Sequence, residues 1–245
     1  MENAMQIDTP AIVCAILPHG EHGAVVRFLT PAHGLVSGYV RGGRSRRLRP
    51  VLQPGNGVAL SLRARVDTQL AAATVELTEA RAALATSIAG LAALDWLTTL
   101  TATALADDVP HPALYTALEA LLGGIVADAG ALALGEGVVR FELLLLAELG
   151  FGLDLGSCAA TGTADDLAYV SPKSSQAVSR GAGLPYAAKL LPLPGFLIGT
   201  APADAAAVHD GLALTGHFLE RDVLAGRRLD LMGARERLAK RLPPR

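Results

Sequence analysis

Short apolar runs separated by glycine and proline fill the first 80 residues of the chain. Five of them are rich in Val, Leu and Ile, at residues 11–17, 24–30, 34–41, 57–65 and 71–77. The fourth run alternates most clearly between an apolar and a polar face, with Val58, Leu60 and Leu62 opposite Ser61, Arg63 and Arg65. This two-residue period is typical of a strand. Five such strands predict a small closed barrel, of either the OB-fold or the SH3-like type.

The hydrophobic period lengthens to between three and four residues near residue 80. Leucine and isoleucine recur at this helical spacing from Glu79 to Asp108. Similar patterns predict further helices over residues 113–127, 137–149, 204–224 and 232–242. Residues 151–200 contain Gly, Ser and Pro throughout, which predicts an irregular or small β segment.

These patterns predict an α+β protein with two domains. Residues 1–80 are expected to form the five-stranded barrel, of the OB-fold or the SH3-like type at this point. Residues 81–245 are expected to form a mainly α-helical domain, with residues 151–200 as an irregular insertion. The hydrophobic fraction of 51% and the charged fraction of 18% are typical of a folded globular chain and exclude a disordered one.

The strongest chemical signal is a run of five arginines within nine residues, namely Arg41, Arg44, Arg46, Arg47 and Arg49. Glycine, serine and proline around them predict a flexible loop between two barrel strands. A guanidinium is always charged and donates two parallel hydrogen bonds to a phosphate. Because the formal net charge of the whole chain is −2, this local concentration points to nucleic-acid binding. We expect Arg63, Arg65 and Arg27 to extend the basic surface.

Other interpretations of the arginines stay open at this point. A basic barrel loop serves RNA as well as DNA. It also suits an acidic protein partner, or no partner at all if it is only solvated. Aromatic residues make up 4% of the chain, which argues against tight binding of single strands by base stacking.

No arrangement of residues in the sequence indicates catalysis or a cofactor. His19, Glu21, His22 and His33 are close in sequence, but their spacing is that of a strand-connecting turn and not of a zinc site. The chain has no Gly-x-x-x-x-Gly-Lys-Ser/Thr motif, so no ATP-hydrolysing loop is expected. We therefore predict a protein that is not an enzyme and that holds neither a metal nor another cofactor.

The cysteines and the termini bear on where the chain works. Cys14 and Cys158 are too few for a disulfide framework or a four-thiolate zinc site. The N-terminus lacks a secretory signal, and no apolar run approaches the ~20 residues that cross a bilayer. These features predict a soluble, cytoplasmic protein that makes no membrane contact.

Several short motifs in both halves of the chain occur in a familiar order. In the first half they are His19-Gly20-Glu21, Leu29-Thr30, Gly34, Val40-Arg41-Gly42 and Leu52-Gln53-Pro54-Gly55. In the second half they are Phe141-Glu142-Leu143-Leu144, Leu149-Gly150-Phe151-Gly152-Leu153-Asp154-Leu155, Cys158-Ala159-Ala160-Thr161-Gly162, Tyr169-Val170-Ser171-Pro172-Lys173-Ser174 and Leu191-Pro192-Leu193-Pro194. In combination and spacing they resemble the RecO family of DNA-repair proteins along nearly the whole chain.

The resemblance implies an N-terminal OB-fold, a helical C-terminal domain and a role in DNA repair and recombination. It implies binding of single- and double-stranded DNA and annealing of complementary strands without ATP. It also implies cooperation with RecR and the single-stranded-DNA-binding protein in loading RecA at gaps, in the cytoplasm and at the nucleoid when bound to DNA. The acidic, apolar C-terminal tail of the single-stranded-DNA-binding protein would dock on the helical domain, where possible cations are Arg140, Lys173, Arg180 and Lys189.

The chain departs from some members of that family at the insertion. Where those members carry a four-cysteine zinc site, this sequence has only Cys158, with Thr161 in the second position and no later pair. We therefore predict no metal at this place. The segment from Tyr169 to Arg180 is expected to fold by packing alone.

Overall fold

The computed structural model describes residues 5–64, 70–226 and 230–244, and five strands in its first part form a barrel. The strands are β1 (Met5–His19), β2 (Gly23–Thr30), β3 (Gly34–Val40), β4 (Gly57–Ala64) and β5 (Ala71–Glu79). The second half of β1 pairs with β2 and its first half pairs with β4. β3 pairs with β2 and lies parallel to β5. The closed order β1-β2-β3-β5-β4 confirms the predicted OB-type barrel.

The barrel interior is filled by apolar side chains from alternate strand positions. The three apolar residues predicted to share one face of β4 are almost completely buried, and Arg63 on the opposite face is exposed. The predicted alternation of this strand is therefore confirmed as far as Ala64. Arg65 lies outside the described residues.

Strand β1 is bent by a bulge at Cys14. Its register with β2 shifts between Val13 and Ala15, and the extra residue lets one strand curve around the barrel. Cys14 is buried, and burial raises the pKa of its thiol to about 12. The thiol therefore stays protonated at neutral pH and packs as a small apolar group.

Helices follow the barrel within the first of two compact units, Met1–Asp128. In the described residues they are α1 (Arg81–Leu84), α2 (Ile88–Ala104) and α3 (Pro112–Val126). The single helix predicted from Glu79 to Asp108 is interrupted before α2, where the Ser87 hydroxyl accepts a 3.0 Å hydrogen bond from the Gly90 N–H. The first compact unit extends past residue 80 to Asp128. The predicted boundary at residue 80 between a barrel domain and a helical domain stays a prediction.

The second compact unit, Ala129–Arg245, combines helices with a small sheet. Its elements are α4 (Ala131–Glu148), β6 (Leu167–Val170), β7 (Ala177–Ser179), α5 (Arg180–Gly183), a 3-10 helix (Leu184–Lys189), β8 (Leu191–Pro192), α6 (Gly195–Ile198), α7 (Ala205–Phe218), a π-helical turn (Leu219–Val223) and α8 (Asp230–Ala239). The small sheet has the order β7-β6-β8 and lies in the segment predicted to be irregular or small β. Within the described residues, no helix combines the length and the hydropathy needed to span a membrane.

The insertion is organised around Cys158 by hydrogen bonds. The Cys158 N–H donates to the Thr163 carbonyl at 2.7 Å, and its Sγ accepts a hydrogen bond from the Ser179 N–H at 3.2 Å. The side chain is buried and forms no disulfide. No group of three or more His, Cys, Asp or Glu side chains in the described ranges could hold a metal ion. That the segment is metal-free stays a prediction.

A buried ion pair joins three helices of the second unit. Glu142 on α4 accepts two parallel hydrogen bonds of 2.8 Å from Arg235 on α8, and the Thr215 hydroxyl on α7 donates to the same carboxylate. Both charged side chains are buried. Burial opposes the charge of Arg235, but the Glu142 carboxylate outweighs it and raises the pKa of the guanidinium. The pair therefore fixes α8 against α4 and α7.

We expect Glu142→Ala to lower the free energy of unfolding by about 3–5 kcal/mol, because it leaves the Arg235 charge buried without its carboxylate. Urea unfolding followed by circular dichroism measures the loss. The control is Glu136→Ala on the same helix, which removes a more exposed pair with Arg140 worth roughly 0.3–0.5 kcal/mol. Equal losses in the two variants would contradict the importance of the buried pair.

Candidate nucleic-acid interface

Residues 41–56 between β3 and β4, here called the arginine segment, form a succession of hydrogen-bonded turns. The Ser45 N–H donates to the Gly42 carbonyl and the Arg49 N–H to the Ser45 carbonyl, each at 2.9 Å. Gly42 has a φ of +67°, a left-handed value that glycine adopts without strain. The segment between the strands is therefore held in successive turns by its own backbone hydrogen bonds, and the flexibility expected from the sequence stays a prediction.

Asn56 fastens the end of the arginine segment to its surroundings. Its side-chain amide donates to the carbonyls of Pro50 and Val51 at 2.9 and 3.1 Å. Its Oδ1 accepts a hydrogen bond of 3.0 Å from the Ala82 N–H, and its backbone carbonyl accepts one of 3.0 Å from the Val13 N–H. Asn56 is buried, so it supplies partners to polar groups that would otherwise lack them.

The apolar and basic side chains of the arginine segment face in different directions. Leu52 is buried in the barrel core, and Leu48 and Val51 pack partly against it. The exposed side chains are Arg41, Arg44, Arg46, Arg47 and Arg49. Among the described residues, none of these five arginines pairs with a carboxylate. Their charge is therefore available to an external anion.

Arg63 lies on the outer barrel surface near the start of the arginine segment. Across the sheet, Arg63 on β4 pairs with Ala72 on β5, which pairs with Tyr39 on β3. Neighbouring strands are about 4.8 Å apart, so the backbone of Arg63 lies roughly 10 Å from that of Tyr39. Because Arg41 follows Tyr39 by two residues, Arg63 is placed to extend the basic surface onto the barrel.

One carboxylate lies beside Arg63 and weakens its contribution. Asp8 on β1 pairs with Ser61, two residues from Arg63 on β4. Hydrogen bonds from Gln6 and Ser61 lower the pKa of Asp8, and the Arg63 charge adds to this effect. Asp8 is therefore negative at neutral pH. This ranks Arg63 below the five arginines of the segment as a phosphate contact.

Arg27, which the sequence grouped with the basic surface, is engaged within the protein. Its guanidinium pairs with Asp107 and donates to the carbonyl of Ala102 near the end of α2. Only 24% of its side chain is exposed. Arg27 therefore fastens the connection between α2 and α3 to the barrel. Of the other supporting arginines, Arg63 is exposed on the outer surface of β4. Arg65 lies outside the described residues.

The same connection, residues 105–111, covers one end of the outer surface of β2 and β3. Asp107 forms a parallel bridge with Leu35. Gly34 has a φ of +69°, and a Cβ there would lie 1.8 Å from the Val109 carbonyl oxygen, so only glycine fits this approach. OB-folds commonly bind oligonucleotides on this face. In this protein the free part of the face lies toward the arginine segment.

Two residues that shape the surface were missed by sequence reasoning. Asn56 stands between Gly55 and Gly57, where the pattern indicates a turn but not the hydrogen bonds of the Asn56 side chain to Pro50, Val51 and Ala82. Asp107 gave only a helix-stop signal. Its pairing with Arg27, 80 residues away in sequence, depends on the tertiary fold.

The fold and the surface define a class of protein, an OB-type barrel with a basic, ordered segment between its third and fourth strands and a helical unit in the same chain. Comparison with known families identifies the class more closely. The family model described as Recombination protein O N terminal matches residues 5–81, and the one described as Recombination protein O C terminal matches residues 85–229. The chain belongs to the RecO family of DNA repair and recombination proteins.

Individual relatives are similar over nearly their full length. The DNA repair protein RecO of Rhodospirillum centenum is 47% identical over 240 residues, which cover 97% of this chain and 94% of that protein. The one of Phenylobacterium zucineum is 46% identical over 243 residues, covering 97% and 98%. The one of Sinorhizobium medicae is 45% identical over 240 residues, covering 95% and 92%. The similarity thus includes both the barrel and the helical unit.

We expect Asn56→Ala to loosen the arginine segment, because it removes two donated hydrogen bonds and leaves the part-buried Ala82 N–H without its acceptor. A cost of about 1–3 kcal/mol in unfolding free energy follows. Limited digestion with trypsin should then cleave faster after the arginines of the segment. The matched control is Gln53→Ala, which removes a single exposed bond to the Arg49 carbonyl. Wild-type cleavage rates in Asn56→Ala would show that Asn56 does not order the segment.

Proposed function

We propose that this chain binds single- and double-stranded DNA through the arginine segment and anneals complementary strands without ATP. The observation that carries the proposal is the set of five exposed arginines on an ordered segment, unpaired with carboxylates among the described residues. Membership in a family of DNA repair proteins supports DNA as the anion. Arg63 is the proposed flanking contact on the barrel, and Arg65 is included on its sequence position alone.

Annealing by such a surface needs no chemical fuel. Two complementary strands repel each other through their phosphates, and arginines that bind both strands lower this repulsion and release condensed counterions. Base pairing then supplies the free energy. Arginines held on ordered turns also lose less conformational entropy on binding than arginines on a free chain. The proposed role is therefore not enzymatic and uses no cofactor.

We further propose cooperation with RecR and the single-stranded-DNA-binding protein in assisting RecA loading at gaps, in the cytoplasm and at the nucleoid. The support for these partners is family membership. Docking of an acidic, apolar tail on the helical unit needs an apolar surface with a free cation. Arg140 and Arg180 are each paired with a carboxylate, whereas Lys173 and Lys189 have no ion pair among the described residues. The two lysines are therefore the better candidates.

A strand-annealing assay without ATP tests the proposed function. We expect the protein to accelerate the pairing of two labelled complementary oligonucleotides over the spontaneous rate. The double variant Arg46→Ala/Arg47→Ala should lose much of this acceleration. Its slope of log affinity against log salt should fall by about 1.4 for single strands and about 1.8 for duplex, because each phosphate contact contributes about 0.7 and 0.9.

The matched control is Lys240→Ala/Arg241→Ala, which removes the same charge from exposed positions of the second unit. It should keep both the annealing rate and the salt slope. A folded wild-type protein that does not accelerate annealing and binds DNA only at low salt would contradict the proposal and favour a scaffold for an acidic protein. Equal losses in the two double variants would show that overall charge, and not the arginine segment, governs DNA binding.

A further inference from the structure

An aromatic pair lies on the outer barrel surface beside the arginine segment. The rings of His19 at the end of β1 and Tyr39 on β3 meet edge to face, with centroids 5.7 Å apart and planes at 76°. His19 is exposed and Tyr39 is partly exposed. Neither side chain belongs to the buried cluster inside the barrel. The two rings therefore face solvent, and the packing of the barrel core does not require them.

The strand next to Tyr39 leaves space for its ring. Gly23, which pairs with His19 in the register of β1 and β2, lies against the outer edge of the ring. A Cβ at Gly23 would lie 2.4 Å from both Cε2 and Oη of Tyr39. Any larger residue at position 23 would displace the tyrosine, so the glycine keeps the ring in its position on the surface.

Arginines border this pair. Arg41 follows Tyr39 by two residues and is exposed. The Arg44 N–H donates to the His22 carbonyl at 3.2 Å, and its guanidinium donates to the Glu21 carbonyl at 3.3 Å. The arginine segment is thus fastened to the turn that follows β1. Aromatic rings and guanidinium groups are held together on one surface.

We propose that Tyr39, with His19 beside it, stacks a base of single-stranded DNA whose phosphates contact Arg41 and Arg44. This inference rests on the proposed DNA binding and adds a preference between strand types to it. The bases of a single strand are free to stack on aromatic rings, whereas those of a duplex are stacked on one another. The low content of Phe, Trp and Tyr argued against stacking, but the fold places one of these few rings, Tyr39, beside the His19 imidazole where phosphates are expected.

The test uses Tyr39→Leu, which removes the ring and keeps an apolar side chain over Gly23. Fluorescence anisotropy would compare labelled oligo-dT, an abasic strand of the same length and a duplex. We expect the affinity for oligo-dT to fall roughly 5-fold to 150-fold, as for other stacked bases. Affinity for duplex and the salt slope should not change, because no charge is removed. Wild type should prefer oligo-dT to the abasic strand, and the variant should bind both equally.

Two further variants and the wild type itself keep the result unambiguous. Tyr39→Phe retains the ring and should retain affinity, as should Tyr186→Leu, which removes an exposed tyrosine of the second unit. If wild type binds oligo-dT and the abasic strand equally, or Tyr39→Leu keeps its preference for oligo-dT, the stacking proposal is wrong. In that case the proposed function still stands if the affinity of Arg46→Ala/Arg47→Ala for DNA is lower than that of the wild type. If wild type binds none of the three probes, the proposed function itself is wrong.

Discussion

The pairing of β1 with two different strands is the constraint on which the first unit depends. Without it β2 and β4 would both have a free edge, and the barrel would be an open sheet. The bulge at Cys14 divides the strand between its two neighbours. There the backbone of Val13 bonds to Asn56 and Gly55 at 3.0 and 2.8 Å. Barrel closure and the order of the arginine segment therefore share the same hydrogen bonds.

The connection between α2 and α3 decides which part of the outer barrel surface is free. From the start of β3 to its middle, the connection at residues 105–111 contacts the strands: Asp107 bridges Leu35, pairs with Arg27 and accepts a hydrogen bond from Ser37. At the other end, Tyr39 leads directly into the arginine segment. One arginine is thus used to cover the surface, whereas five others stay exposed beside the open part. Under the proposed function, this division would let a phosphate backbone bind without an enclosed cleft.

Much of the fold could be predicted from the sequence, because apolar residues recur every two residues in the strands and every three to four residues in the helices. The arginines of the segment were equally visible, since charge density in a short run needs no tertiary information. The roles of Arg27 and Asn56 could not be predicted in this way. Arg27 looks like any strand arginine until α2 is packed against the barrel, and Asn56 looks like any turn residue until α1 supplies the Ala82 N–H. The proposed role of Tyr39 could not be predicted either, because its contact with the ring of His19, 20 positions earlier in the chain, depends on the fold.

Hydrogen–deuterium exchange of the full chain, with and without oligo-dT, tests most directly whether DNA occupies the barrel surface beside the arginine segment. The account predicts slower exchange on binding in residues 19–25 and 39–56, with residues 105–111 and the second unit unchanged. Protection confined to the second unit, or protection of residues 105–111 without the arginine segment, would contradict it.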